Sequence, residues 1–247
     1  MAFSEKLSKG VLFLGGVFLI LCLVFSALVN ICGATGPASS PPKPAEITID
    51  PAKTALLLLH FQNDLMTPGG KFVRNLPERV KAAHNVEHTQ AVLKASREKG
   101  MLIVHVRAAW RPGVPEFGPK TVPLIHHVVE AKAVTDGTWG AEVIDELKPA
   151  GEDVVVINTS TSAFCNNDLD MILRNNGITD VVLTGMVTNF VVESTCREAI
   201  NRGYFAYILK DCINSWSDDF HNWPLNNILP NLAILSESKA YISALKD

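Results

Sequence analysis

Apolar runs alternate with amphipathic stretches along most of the chain. The run Thr54 to Phe61 (TALLLLHF) has no polar alternation, which is typical of a parallel strand that is buried on both faces. Residues 78 to 99 have helical spacing, and Gly100 ends this helix just before the strand-like run Met101 to Arg107. The pattern therefore predicts a strand, a helix and a second strand.

The same alternation continues towards the C-terminus. Four more strands are predicted, at Asp153 to Asn158, Asp180 to Gly185, Phe205 to Lys210 and Asn231 to Leu235, with helices near residues 168 to 175 and 189 to 202. The predicted fold class is α/β, a doubly wound three-layer fold with a six-stranded, mainly parallel sheet and helices on both faces. In such folds ligands bind at the carboxyl ends of the strands. Residues 51–247 are assigned to this single domain.

An apolar segment without charged side chains precedes the domain. Residues 10–31 are long enough to cross a hydrocarbon core of roughly 30 Å. We expect them to form a transmembrane signal anchor, and the alternative is a signal peptide that is cleaved to release a secreted protein.

The charges around this segment predict its orientation. Lys6 and Lys9 precede it, and the next cation is Lys43. The positive-inside rule then assigns residues 1–9 to the cytosol and the domain to the non-cytosolic side of the membrane. Residues 32–50 are rich in Pro, Ser and Gly and are predicted to be an extended tether.

Composition and motifs exclude several classes of function. The chain is 47% hydrophobic with a formal net charge of -3, so it has no basic surplus for nucleic acid. It contains neither a GxGxxG loop nor a GxxxxGK[ST] loop, and it lacks HExxH and CxxC motifs. The adjacent His126 and His127 are assigned to a loop and are expected to be solvated. No cofactor or metal is therefore expected.

Three ordered segments carry a family resemblance: ALLLLHFQNDL (residues 55–65), VVVIN to SAF (residues 154–164) and GMVTNFVVEST (residues 185–195). With them the chain resembles the isochorismatase-like family of the cysteine hydrolase superfamily, and in particular its ureidoacrylate amidohydrolase-like members. The resemblance covers about two hundred residues. It implies the predicted fold, a small-molecule ligand or substrate and a homo-oligomer.

The resemblance also implies a catalytic triad. In the family an Asp and a Lys end two strands and a Cys opens a helix, and the thiolate attacks an amide carbonyl. The matching positions here are His60, Asn158 and Val191, so all three residues differ from the family. Cys196 lies five residues after Val191, which rotates it roughly 140° away on a helix. Cys165 is expected to pack in the core or in a wall.

Some backbone features of the family are expected to persist. The resemblance implies a cis peptide bond at Met186–Val187 and an oxyanion hole made by the amides of Val187 and Val191. The metal-binding members of the family place an Asp and two His after the second strand, where this chain has HVRAAWRPG, so a nicotinamidase is disfavoured. Five further residues are candidates for the pocket wall: Gln62, Trp110, Trp139, Phe164 and Phe190.

Three hypotheses of function follow from these residues. The first is a membrane-tethered pseudoenzyme that binds a small ligand or a partner. The alternative is an active hydrolase of amide, ureido or isochorismate-type compounds, in which His60 acts as general base on water and Asn158 orients it. A third is a structural or assembly module without a ligand pocket. Asn158 also begins the sequence Asn-Thr-Ser, a glycosylation sequon that burial at the strand end is expected to protect.

Overall fold

A computed structural model describes residues 47–118 and 120–245 of the chain. The predicted cytosolic segment 1–9, the predicted membrane span 10–31 and the predicted tether up to residue 46 lie outside the described residues. No helix within 47–118 or 120–245 is long and apolar enough to cross a membrane. Residues 47–50, which were assigned to the tether, pack on the domain: Ile49 is buried, and the carbonyl of Thr48 accepts a hydrogen bond from the Tyr207 hydroxyl at 2.8 Å.

Six parallel strands form one sheet in the order β3-β2-β1-β4-β5-β6. Their bounds are β1 Thr54–Leu59, β2 Leu102–Ala108, β3 Val154–Asn158, β4 Asp180–Met186, β5 Phe205–Asn214 and β6 Ile234–Ser236. The predicted six-stranded sheet is confirmed, and every strand pair is parallel. β1 is the most enclosed strand because it lies between β2 and β4, and all six of its residues are buried.

Eight α-helices occur in the described part of the chain. Their bounds are α1 Asn63–Met66, α2 Leu76–Ala82, α3 Asn85–Glu98, α4 Pro123–Ala131, α5 Leu169–Asn175, α6 Glu193–Asn201, α7 Asp218–Asn227 and α8 Ser238–Ala244. The single helix predicted over residues 78 to 99 is wrong, because His84 has a left-handed backbone (φ 51°) that separates α2 from α3. The helix predicted from residue 189 begins with a π-helical turn, Thr188–Val192, and continues as α6.

The hydrophobic core has two parts, one on each face of the sheet. Residues Leu56 and Leu58 of β1 pack with α2, α3 and α8 on the first face, and their neighbours Leu57 and Leu59 pack with α5 and α6 on the second. Successive residues of a strand point to opposite faces, so an uninterrupted apolar run serves both layers. The expected arrangement of helices on both faces is therefore the observed one.

Candidate functional site

A cavity opens where the carboxyl ends of β1 and β4 meet. These two strands are neighbours although they are distant in sequence, so the crossovers change direction between them, which is where doubly wound folds bind ligands. The centre of a water molecule can occupy about 70 Å³ of the cavity. A single water needs roughly 10–15 Å³ by the same measure, so the space corresponds to about five waters or a compact organic group.

Most of the cavity wall is aliphatic or aromatic. The polar exceptions are His60, Ser160 and Thr161, together with the indole rings of Trp110 and Trp216. Among the described residues of the wall there is no thiol, carboxylate, amine or guanidinium. The cavity therefore suits a compact ligand with an apolar body.

A glycine allows β4 to come close to β1 beside the cavity. Gly185 has φ +130°, and a Cβ placed on it would lie only 2.0 Å from the carbonyl oxygen of Leu59. Any larger residue would push the two strands apart. The Met186–Val187 peptide bond that follows is cis, at the position that the family resemblance implies.

His60 and Asn158 form a buried hydrogen-bonded pair. His60 directly follows β1 in a left-handed backbone conformation (φ 54°), and Asn158 is the last residue of β3. The Nε2 atom of His60 lies 2.8 Å from Oδ1 of Asn158. The Nδ2 atom of Asn158 donates to the carbonyls of Ser160 and Ser162 at 2.8 and 2.9 Å. All three hydrogen bonds of this amide lie within the protein, and its side chain is inaccessible to solvent.

These contacts fix the tautomer of His60. Two carbonyls can only accept hydrogen bonds, so they place the amide nitrogen of Asn158 beside themselves and its oxygen beside His60. Since that oxygen also only accepts, Nε2 of His60 carries the hydrogen and Nδ1 carries the lone pair. Desolvation by burial is the larger influence and lowers the pKa of His60 from 6.5 to about 4, against the opposing effect of the Asn158 hydrogen bond. His60 is therefore neutral at physiological pH.

Val191 lies in the π-helical turn that follows β4. It is buried in the cavity wall and packs into the second core, so the position that the resemblance matches to the family's thiol holds an aliphatic side chain. Cys196 is fully buried in the same core and is not part of the cavity wall, and burial raises the pKa of its thiol to about 12. Cys165 is partly exposed and is likewise outside the wall. Neither cysteine presents a thiolate to the cavity.

Gln62 is a support of the cavity rather than part of its wall. Its side chain accepts from the amide of Ala108 at 2.8 Å and donates to the carbonyls of Ala108 and Ala141 at 2.7 and 2.8 Å. These bonds hold the side chain against the backbone at Ala108 and Ala141, outside the cavity wall, so its expected position in the pocket is wrong. Asp64 acts in the same way, since its carboxylate accepts from the amides of Lys71 and Val134 at 2.9 and 2.6 Å.

The aromatic candidates divide between the cavity and other parts of the domain. Trp110 and Phe190 lie in the cavity wall. Trp139 does not, because its side chain is 55% exposed at the start of a 3-10 turn. Phe164 does not either, because it belongs to the core of the second face and stacks on Tyr204 with 5.8 Å between ring centroids.

Several wall residues could not be identified from the sequence motifs. Ser160 and Thr161 follow β3 and Trp216 follows β5, so their positions after strands are the signal that could have located them. The helix α4 closes another side of the cavity, although its residues were assigned to a loop. His126 and His127 lie on this helix with exposed side chains, and His126 pairs with Glu130 at 3.2 Å. No group of three potential metal ligands occurs in residues 47–118 or 120–245.

Comparison with known proteins identifies the family. The model of the isochorismatase domain matches residues 54–240. An isochorismatase-like hydrolase from Alkaliphilus metalliredigens is 27% identical, with a TM-score of 0.67 over 78% of this chain and 98% of that one. An N-carbamoylsarcosine amidase from Thermoplasma acidophilum is 27% identical, with a TM-score of 0.61 over 75% and 96%.

A third structure resembles the chain in fold. This cysteine hydrolase from Pseudomonas syringae pv. phaseolicola 1448A has a TM-score of 0.74 over 84% of this chain and 99% of that one, at 23% identity. The match to the domain model extends from the first residue of β1 into α8 and so spans the whole sheet. The chain therefore belongs to the isochorismatase family.

Proposed function

We propose that this protein is a membrane-tethered, degenerate member of the family that binds a small uncharged molecule and does not hydrolyse it through a cysteine. The observation that carries the proposal is the cavity itself. It lies where the fold binds ligands, and its described wall offers no thiol, carboxylate or amine. Cysteine hydrolysis needs a nucleophile and a base as one unit, and loss of one member of such a unit typically costs several orders of magnitude.

The chemistry of the wall also favours one class of ligand. A carboxylate placed in this cavity would lose its hydration without gaining a cation, which costs several kcal/mol. The guanidinium of Arg74 lies over the rings of two wall residues, Trp216 and Phe72, with its Cζ atom 4.6 and 5.2 Å from their centroids, but Arg74 itself is not part of the wall. Dianionic substrates such as isochorismate are disfavoured for this reason, and neutral amides or ureido compounds are favoured.

A second candidate function is a hydrolase that uses His60 as general base on water. The unprotonated Nδ1 of His60 favours it, since a lone pair is what a base requires. Its pKa of about 4 argues against it, because a group with so low a pKa is a weak base at neutral pH. Asn158 also has no free group with which to orient a water, since all of its polar atoms are bonded within the protein.

The decisive experiment restores the family's residues. The full chain and the triple variant His60→Asp, Asn158→Lys, Val191→Cys are assayed on amides, ureido acids of the ureidoacrylate type and isochorismate. Position 60 has a left-handed backbone that Asp tolerates well, so this substitution suits the local conformation. The matched control carries the same first two changes with Val191→Ala, which leaves the site without a thiol.

We expect the unmodified chain and the alanine control to be inactive. Hydrolysis by the triple variant alone would identify the substrate class of the ancestor. Hydrolysis of ureido acids would support a relationship to the ureidoacrylate amidohydrolase-like members. Turnover by the unmodified chain that is abolished by His60→Ala would refute the degenerate enzyme and establish the second candidate.

The membrane anchor is a separate part of the proposal. It is supported by the uncharged segment 10–31 and by Lys6 and Lys9 before it. Protease added to intact cells is expected to digest the domain, whereas protease added to inverted membrane vesicles should leave it whole. The opposite pattern would reverse the orientation, and recovery of the domain without residues 10–31 in the medium would favour a cleaved signal peptide.

A further inference from the structure

We propose that the His60–Asn158 pair is a fixed hydrogen-bond acceptor that selects ligands with a neutral N–H or O–H donor on a compact head group. This inference rests on the proposed function, since it assigns the ligand chemistry of the same cavity. It gives the two substituted positions a role in ligand selection in place of the acid and the cation of the family. His60 is then a specificity-determining residue, and Asn158 is a positioning residue that acts through it.

The first step of the argument is the orientation of the Asn158 amide. An amide can rotate to exchange its oxygen and nitrogen, but here the carbonyls of Ser160 and Ser162 both require the nitrogen. Rotation would leave two buried carbonyls facing an oxygen, so the observed orientation is strongly preferred. The oxygen of Asn158 therefore always faces Nε2 of His60 and holds the hydrogen there.

The second step concerns the other ring nitrogen. Nδ1 has no hydrogen-bond partner among the described residues. Unlike the unpaired polar atoms that are fully enclosed, it keeps some accessible surface. His60 lines the cavity and is otherwise buried, so we assign the accessible surface of Nδ1 to the space where a ligand binds. A lone pair in an apolar pocket accepts a donor favourably, whereas it repels a carbonyl or ether oxygen.

The third step is the size of the group that fits. An apolar cavity of about 150 Å³ accepts benzene. The cavity here offers about 70 Å³, roughly half of that space, so it holds a head group of a few heavy atoms while the rest of the ligand extends through the opening. A primary amide, a urea end or a hydroxymethyl group meets this limit.

The test uses three molecules of nearly equal shape: isobutyramide, methyl isopropyl ketone and isobutyrate. Only the amide donates a hydrogen bond, the ketone replaces its NH₂ by a methyl group, and the carboxylate adds a charge. Binding to the full chain in lipid nanodiscs is followed by NMR through the indole N–H signals. Trp110 and Trp216 lie in the cavity wall, and the exposed Trp139 and Trp223 serve as internal controls.

We expect the amide to bind about three- to tenfold more tightly than the ketone, which is the range of one net hydrogen bond. The carboxylate should bind more than about tenfold more weakly than the ketone, because its charge finds no partner. The substitution His60→Phe should bring the ratio of amide to ketone affinity close to one. The matched control is His84→Phe, since His84 has the same left-handed backbone (φ 51°) but an exposed side chain outside the cavity.

Each result decides between the two proposals. Equal affinities for the amide and the ketone in the unmodified chain would overturn the acceptor role and leave the binding function intact. If none of the three molecules shifts the Trp110 or Trp216 signal, the binding function fails and the acceptor role fails with it. The ¹⁵N shifts of the His60 ring give a measurement that needs neither a ligand nor a variant: a hydrogen on Nδ1 would refute the fixed tautomer.

Discussion

Protonation of His60 should couple the stability of the domain to pH. The unfolded chain binds a proton at this histidine with its ordinary pKa of 6.5, whereas burial in the folded domain lowers the value to about 4. Above pH 6.5 both states are neutral at this site, so the pair contributes no pH dependence. As the pH falls from 6.5 to about 4, the unfolded state gains a proton that the folded state does not, and the free energy of unfolding decreases.

The magnitude follows from the width of this window. Each pH unit between the two pKa values removes up to 1.36 kcal/mol, so His60 should cost about 3 kcal/mol of stability by pH 4. The perturbation is His60→Asn, because Asn tolerates the left-handed backbone (φ 54°) and does not titrate. The matched control is His84→Asn at the exposed left-handed position.

The assay is denaturant unfolding of the full chain and both variants at intervals from pH 7.5 to pH 4. The buried His105 and the partly buried His221 also have lowered pKa values, but both are present in all three proteins and cancel in the difference. The difference between the unmodified chain and His60→Asn should change by about 3 kcal/mol across the window. If the three curves remain parallel, burial does not lower the pKa of His60 in the folded domain.

Three further predictions concern the surroundings of the cavity. Expression in a glycosylating secretory pathway should yield a folded protein without a glycan at Asn158, because the side chain is buried. Its mass should not change on endoglycosidase treatment, and a glycan there would contradict the burial. Gly140→Ala should lower the free energy of unfolding by about 1–3 kcal/mol, because the added Cβ would lie 2.1 Å from the Asp64 carboxylate. Gly118→Ala should leave it unchanged in the same thermal or chemical unfolding, since no atom lies within 4 Å of the added Cβ. Cys196 should resist alkylation in the native protein and react after unfolding, since burial raises its pKa to about 12; rapid native labelling would show that its helix opens.

The sheet could be predicted from the sequence because its strands are buried on both faces. In β1 no polar residue interrupts the apolar run after Thr54. All six strands were located within a few residues of their bounds, although β5 extends four residues further. The helices were less visible. α4, α7 and α8 were not predicted, although with seven to ten residues they are as long as α5 and α6, which were. α7 also contains Pro224, which is unfavourable inside a helix.

The site could be located but its wall could not be fully derived. Position after a strand predicts that a residue lies at the correct edge of the sheet, and His60 and Trp110 illustrate this. It does not predict the direction of the side chain, since Gln62 also follows β1 but its hydrogen bonds hold it outside the cavity wall. The roles of His60, Asn158 and Val191 stay predictions for the experiments described above.

Residues other than His60, Asn158 and Val191 hold the walls of the cavity in place. Gln62 bonds the end of β2 through two hydrogen bonds to Ala108 and the turn at Ala141 through a third. Asp64 bonds the segments of Lys71 and Val134 through one hydrogen bond each. Thr195 completes the support by accepting a hydrogen bond from the amide of Ala163 at 3.0 Å. None of these contacts involves a triad position.

If these three positions correspond to the family's triad, as proposed, such supports would allow them to change together. A lone substitution of the acid would leave a cation buried without its partner, which typically costs 3–5 kcal/mol, whereas a neutral, hydrogen-bonded His–Asn pair buries no charge. Val191 then removes the last group that required either charge. The pocket that results should bind more readily than it reacts, and the isosteric ligand series and the restored triad test those two properties separately.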